Sequence, residues 1–177
     1  MNKLLFFVFL FIPIFSFSQE SDEELVYWTN AKKLNWNDYK GKVDPASTAA
    51  ASTATYLGIE YIFNKNVLTY KITCSFSKDK SWSRHKSDHI LAHEQGHFDI
   101  AEVFARKLNM KMKGYQFDKN SFKTDLKKIY QDIIDEKERT QNEYDEETNH
   151  SINKEKQTEW LKKIDKMLEE YKDFGNY

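Results

Sequence analysis

Two patterns of apolar and polar positions divide the chain. In residues 53–63 and 67–76 apolar and polar side chains alternate, which predicts two β-strands. Asn64-Lys65-Asn66 lies between them and favours a hairpin turn. From Ser87 onward apolar residues instead recur every three or four positions, a spacing typical of amphipathic helices.

The helical half predicts three helices. The first begins at Ser87 or Asp88, either of which can cap the first turn, and ends near Gly114. A second helix is predicted over residues 121–139 and a third over residues 153–172. The first helix has its inward positions at Ile90, His93, His97, Ala101, Phe104 and Leu108. Strands followed by helices predict an α+β domain with a small antiparallel sheet.

The N-terminus has the pattern of a secretory signal peptide. Lys3 precedes an apolar run over residues 4–15, and Ser16 and Ser18 provide small residues before a cut after Ser18. The alternative is a retained membrane anchor, but the run is short for the roughly 20 residues of a span. We therefore expect a signal peptide over residues 1–18 and a single domain over residues 19–177, secreted or periplasmic and not stably inserted in a membrane.

Charge and cysteine content narrow the classes of function. The chain carries 27 basic and 28 acidic residues, and nothing in it resembles the basic face that nucleic-acid binding requires. Cys74 is the only cysteine, so an intramolecular disulfide is excluded. It falls in a strand-like run and is expected to be a buried apolar residue.

The segment His93-Glu94-Gln95-Gly96-His97 carries the candidate chemistry. Because a helix turns by about 100° per residue, His93 and His97 lie about 40° apart and can bind one ion together. Two neutral imidazoles suit Zn²⁺ and leave a position for water. Glu94 is offset by about 100° from His93, where it can take the proton of the water that the ion activates. The alternative is a pair of core histidines beside a surface glutamate.

A catalytic zinc site requires a third protein ligand. Asp99 and Glu102 lie about 240° and 180° around the helix from His93, so they face away from the ion. The ligand must come from elsewhere, and His150 is the only histidine further downstream. A solvated surface role for His150 is equally open from the residues alone. Three carboxylates in the same polar stretch are further candidates: Glu143, Asp145 and Glu147.

Four other side chains have candidate roles. Tyr144 could donate a hydrogen bond to the oxyanion of the reaction, although a packing role is at least as plausible. His85 and His89 continue the histidine spacing upstream and are expected at the mouth of the site or on the surface, with support of a ligand as an alternative for His89. Trp160 is expected to pack the third helix on the metal-binding helix, as a brace or lid.

Three stretches resemble an uncharacterised bacterial family of predicted secreted zinc-dependent proteases. They are Leu-Ala-His-Glu-Gln-Gly-His-Phe-Asp-Ile-Ala-Glu at residues 91–102, a tryptophan motif at residues 34–41, and Tyr144-Asp145 with Thr148 and His150. The resemblance implies a zincin-like fold, zinc as cofactor, a peptide or protein substrate and His150 as the third ligand. Ser151 stands where the family pattern is expected to have glycine.

The resulting prediction is an extracytoplasmic zinc peptidase with His93, His97 and His150 as ligands and Glu94 as general base. Two alternatives remain open. One is a zinc-binding envelope protein without hydrolytic activity, which Glu94 disfavours because a purely structural site needs no base beside it. The other is a zinc amidase that acts on a cell-wall or other amide bond.

Overall fold

The computed structural model describes residues 23–64 and 67–177, and its fold is α+β, as predicted. Five strands form two small antiparallel sheets, one of three strands in the order β1-β4-β3 and one that pairs β2 with β5. Their bounds are Leu25–Tyr27 for β1, Ala51–Ser52 for β2, Thr55–Asn64 for β3, Val67–Ser77 for β4 and Trp82–Ser83 for β5. Three helices follow: α1 (Asp88–Gly114), α2 (Phe122–Thr148) and α3 (Lys154–Glu170). The predicted signal peptide lies outside the described residues.

Strands β3 and β4 form the predicted antiparallel hairpin. Their register pairs Asn64 with Val67 and Leu57 with Cys74. The two residues that join the strands are outside the described part of the chain. Leu57, Ile72 and Cys74 are buried on the face that packs against the helices. Cys74 is therefore a core residue, as its position in the sequence suggested.

Helix α1 has the bounds that the sequence predicts. The Ser87 side chain accepts a hydrogen bond from the backbone N–H of Ile90, which caps the first turn. The helix ends at Gly114. Phe104 and Leu108 are almost completely buried, so the apolar stripe of α1 packs against the sheet and the other two helices.

The predicted end of the second helix is wrong. Helix α2 continues to Thr148, nine residues beyond the predicted end at residue 139. No glycine or proline interrupts this stretch, and backbone hydrogen bonding can therefore continue through a polar sequence. Tyr144 and Asp145 lie on this extension, so they belong to a helix rather than to the connecting segment.

Helix α3 fastens the end of α2 to the rest of the domain. Its N-cap is Asn153, whose side chain accepts a hydrogen bond from Lys156 N–H. Trp160 is buried, its ring centroid lies 5.4 Å from that of Tyr144, and its Nε1 donates to Glu147 at 2.8 Å. These contacts join Trp160 to α2 behind Tyr144, and the role of a brace or lid on the metal-binding helix stays a prediction. Within the residues described, no helix is both long and apolar enough to cross a membrane.

Candidate metal centre

Three potential ligand atoms converge between α1 and α2. His93 Nε2 and His97 Nε2 are 3.2 Å apart, and Asp145 Oδ1 lies 3.1 Å from each of them. Within the described part of the chain these three side chains form the group that could hold a metal ion, with all potential ligand atoms within 4.8 Å of one another. One helix turn supplies both histidines, and α2 supplies the carboxylate across from them.

The dimensions of this triangle fit a small divalent cation. Ligand atoms about 2.0–2.1 Å from a tetrahedral zinc ion lie about 3.3 Å from one another, close to the 3.1 and 3.2 Å found here. Two imidazoles and one carboxylate are also a donor set of catalytic zinc sites. The residues present therefore fit a zinc ion, and a His93–His97–Asp145 group could hold a metal.

The electrostatics of the group favour the metal-binding forms of His93 and Asp145. Burial lowers the pKa of His93 and so favours its neutral ring, although Asp145 acts in the opposite direction. Burial alone would raise the pKa of Asp145, but its hydrogen bonds to His93 and His97 outweigh that effect and hold the carboxyl pKa far below its usual range. Asp145 is therefore ionised. At His97 burial lowers the pKa, but Asp145, Glu94 and Gln141 outweigh burial and raise it, so a metal would have to displace a proton from this ring.

Gln141 orients the second histidine. Its side-chain N–H donates to the backbone oxygen of His97 at 2.9 Å, and its Oε1 lies within hydrogen-bonding distance of His97 Nδ1. A proton on Nδ1 leaves the lone pair on Nε2, which faces His93 and Asp145. Gln141 is one turn of α2 before Asp145, so the helix sets both contacts together.

Glu94 lies beside the triangle and is only 4% exposed. Burial raises the pKa of its carboxyl group, and the positive charge of His97 partly opposes this shift. Its Oε2 has no hydrogen-bond partner among the described residues. A buried carboxylate with a free oxygen at the edge of a cleft is suited to accept a proton.

Tyr144 packs behind the histidines. Its ring stacks on that of His93 with centroids 4.5 Å apart, and its hydroxyl donates to the His93 backbone oxygen at 3.2 Å. A Cβ atom on Gly96 would lie 2.5 Å from the Tyr144 hydroxyl oxygen, so glycine is needed for this close approach. Tyr144 therefore has the packing role that the sequence analysis gave as the alternative. Donation of its hydroxyl to an oxyanion stays a prediction.

His150 lies at the rim of the site, just beyond the end of α2. Its Nδ1 is 3.5 Å from Asp145 Oδ1, but 68% of its side chain is exposed. Asn149, His150 and Ser151 have φ values of 48°, 50° and 72°, all in the left-handed region. Glycine adopts this region without strain, so the glycine that the resemblance implies at the position of Ser151 would suit this backbone. The role of His150 as third ligand stays a prediction.

The remaining candidates are not among the three residues that could hold a metal ion. His89 Nε2 lies 2.6 Å from the backbone oxygen of Ser151, so His89 supports the turn that carries His150. His85 is exposed and is not among the residues that line the cleft. Glu143 and Glu147 are exposed on α2, and Glu147 accepts the Trp160 hydrogen bond.

The centre opens into a cleft of about 450 Å³, a size typical of small-ligand and substrate sites. A segment of small residues around β2 forms another wall of the cleft. Gln141 and Lys137 on α2 also line the cleft, and the sequence analysis missed both. Lys137, Gln141 and Asp145 follow one another at intervals of four residues, and this spacing is the signal that could have found the first two.

No curated protein and no solved structure matches the chain significantly. The model of one bacterial family matches residues 18–151, a range that includes α1, α2 and His150 but not Trp160. This range covers most of the chain. The chain therefore belongs to the family described as bacterial protein of unknown function (DUF922).

Proposed function

We propose that this protein is an extracytoplasmic zinc-dependent peptidase. In this proposal His93, His97 and Asp145 hold the ion and Glu94 is the general base. The observation that carries it is the arrangement of one buried carboxylate with a free oxygen beside three ligand atoms spaced 3.1–3.2 Å apart.

A bound zinc ion would supply Lewis acidity, acidifying a water molecule and polarising the carbonyl group of the substrate. The protein's own residues supply the rest. Gln141 fixes the ring of His97 in the orientation that presents Nε2. Tyr144 keeps bulk water away from the ring of His93, because the two rings stack and both side chains are buried.

Glu94 moves the proton. Its carboxylate accepts a proton from the attacking water, and the resulting carboxylic acid donates that proton to the departing amine nitrogen. Burial favours this exchange because it raises the pKa of the Glu94 carboxyl group, which makes the carboxylate a better proton acceptor.

The cleft supports a peptide as substrate. Its wall around β2 consists of small residues that leave space for a main chain. The extracytoplasmic location rests on the apolar N-terminal run. A zinc-binding protein without hydrolytic activity remains the competing proposal, and so does an amidase that acts on a cell-wall bond.

The test compares wild type with Glu94→Gln in purified protein loaded with zinc. Peptide hydrolysis is measured on a mixed peptide pool, and bound metal is measured by mass spectrometry. We expect a loss of about 10²–10⁴-fold in rate, because a general base contributes that much, with unchanged zinc content. Glu143→Gln is the matched control, since the same change is made at an exposed position of α2.

Undiminished hydrolysis by Glu94→Gln would contradict the role of the base. A wild type that retains no metal would contradict the proposed centre. Zinc retention without hydrolysis of any peptide would favour the binding protein.

A further inference from the structure

One end of the cleft carries a lysine whose charge is not used by the metal centre. Lys137 lies on α2, eight residues before Asp145, and lines the cleft together with Thr55 and Gln141. At 1.5 Å of rise per residue, the two positions on the helix are about 12 Å apart. His150 and Ser151 line the cleft as well, on the far side of Asp145 along the chain.

Lys137 differs from other lysines that are largely buried. Lys78 and Lys107, whose side chains are only 16% and 17% exposed, each lie within 4 Å of a carboxylate. Lys137 is half-buried and forms no ion pair with any acidic residue in the described part of the chain. Burial lowers the pKa of its ammonium group, an effect that the charge of Glu138 only partly opposes.

Partial burial of a cation without a partner costs free energy, because the cation loses hydration. A bound ligand can supply the missing partner. Lys137 borders the space where a substrate of this centre would lie. A carboxylate is the anion that a peptide offers, either at its C-terminus or on an aspartate or glutamate side chain. An ammonium group binds it through a charge-assisted hydrogen bond.

We propose that Lys137 binds a carboxylate of the substrate and so makes the protein selective for peptides that carry one near the cleaved bond. This inference rests on the proposed function of the same cleft. An extended peptide advances about 3.3 Å per residue, so the 12 Å between the two helix levels corresponds to about four residues between the bond and the carboxylate.

The experiment uses degenerate octapeptide pools in four versions. The C-terminus is either a free acid or an amide, and the residues are either free of acidic side chains or include glutamate. We expect wild type to cleave carboxylate-bearing pools at least about 10-fold faster than the fully neutral pool, as a charged hydrogen bond supports. Mass spectrometry of the products locates the preferred carboxylate and separates a terminal group from a side chain.

Lys137→Met keeps the length of the side chain and removes its charge. In this variant we expect the carboxylate-bearing pools to be cleaved at about the same rate as the neutral pool. Lys127→Met, at an exposed position of the same helix, should keep the wild-type ratio of these two rates. Cleavage of all four pools at equal rates by wild type would overturn the inference. So would a preference that survives in Lys137→Met.

A binding measurement separates this inference from the proposed function. Fluorescence anisotropy of the labelled pools is measured with zinc-loaded Glu94→Gln protein, with and without Lys137→Met. If wild type cleaves no pool, the proposed peptidase fails, but tighter binding of acidic pools that depends on Lys137 still supports the carboxylate site. Equal binding of acidic and neutral pools overturns that site whether or not hydrolysis occurs.

Discussion

Carboxylates are buried on both sides of α1, but the two sides differ in whether these groups have hydrogen-bond partners. On the side away from the cleft, Asp99 accepts hydrogen bonds from Trp28 Nε1 at 2.7 Å and Gln95 Nε2 at 2.8 Å, and it pairs with Lys33. Further along the same side, Glu102 pairs with Arg106 at 2.8 Å. On the cleft side, His93 Nδ1 and Glu94 Oε2 are buried without a partner in the described residues.

This difference separates the polar cluster of Asp99 and Glu102 from the candidate site. Buried polar groups are almost always hydrogen-bonded, because an unpaired group loses the free energy of its hydration. The Asp99 and Glu102 side follows this rule and holds the N-terminal segment and α1 in place. The cleft side departs from it at Glu94 Oε2, the oxygen that the proposed base would use, and at His93 Nδ1, the ring nitrogen opposite the one that faces Asp145. Departures of this kind are expected at functional sites.

Substitutions of the proposed ligands on the cleft side should have the largest effect, and that effect is on zinc affinity. Replacing Asp145 by asparagine should lower zinc affinity at least about 100-fold, because it removes the negative charge that faces both histidines. His150→Ala should lower affinity less than about 10-fold, because His150 lies at the rim. Competition with a chelating indicator measures both values.

His85→Ala is the control for these two variants, since His85 is an exposed histidine outside the cleft. If His150→Ala loses zinc and Asp145→Asn keeps it, the third ligand is His150, as the resemblance to the secreted protease family implies.

Substitutions on the opposite side of α1 should change the stability of the protein and not its affinity for metal. Arg106→Met leaves Glu102 buried without its cation, and breaking a buried pair in this way costs about 3–5 kcal/mol. The free energy of unfolding, measured with urea on the zinc-free protein, should fall by that amount. Zinc affinity of the folded protein should stay within about 2-fold of wild type.

The double variant Glu102→Gln with Arg106→Met is the matched control, because it removes both charges together. It should recover a large part of the lost stability. A loss of zinc binding in Arg106→Met at temperatures where it is folded would show that the two sides of α1 are coupled.

A smaller effect is expected at Gly96, where the cleft side meets the core. Gly96→Ala places a methyl group 2.5 Å from the Tyr144 hydroxyl oxygen, and such overpacking typically costs about 1–3 kcal/mol. Thermal or urea unfolding measures this loss. Adding Tyr144→Phe removes the closest atom and should restore part of the stability.

Tyr144→Phe alone also tests the predicted oxyanion role. The packed position of Tyr144 leads us to expect less than about a 10-fold change in the hydrolysis rate. A loss of about 100-fold or more, the size typical of an oxyanion donor, would show that the hydroxyl leaves the His93 carbonyl oxygen during the reaction.

Much of the fold follows from local patterns in the sequence. The hairpin of β3 and β4 and the bounds of α1 were predicted from alternation, helical spacing and capping residues, and they are confirmed. The second helix was cut short because its final turns are polar and carry no apolar stripe. Those turns are helical because α1 and α3 pack on them through Tyr144 and Thr148, which are buried.

Only part of the candidate site could be predicted from the sequence in the same way. The sequence by itself placed His93, Glu94 and His97 together, because four residues of one helix fix their spacing whatever surrounds them. It left the third ligand open between His150 and several carboxylates. Only the tertiary structure brought Asp145 Oδ1 to 3.1 Å from both histidines, and only it placed Lys137 in the same cleft. The physical reason is that α1 and α2 are separate segments, so the distance between their side chains depends on how the two helices pack and not on their spacing in the chain.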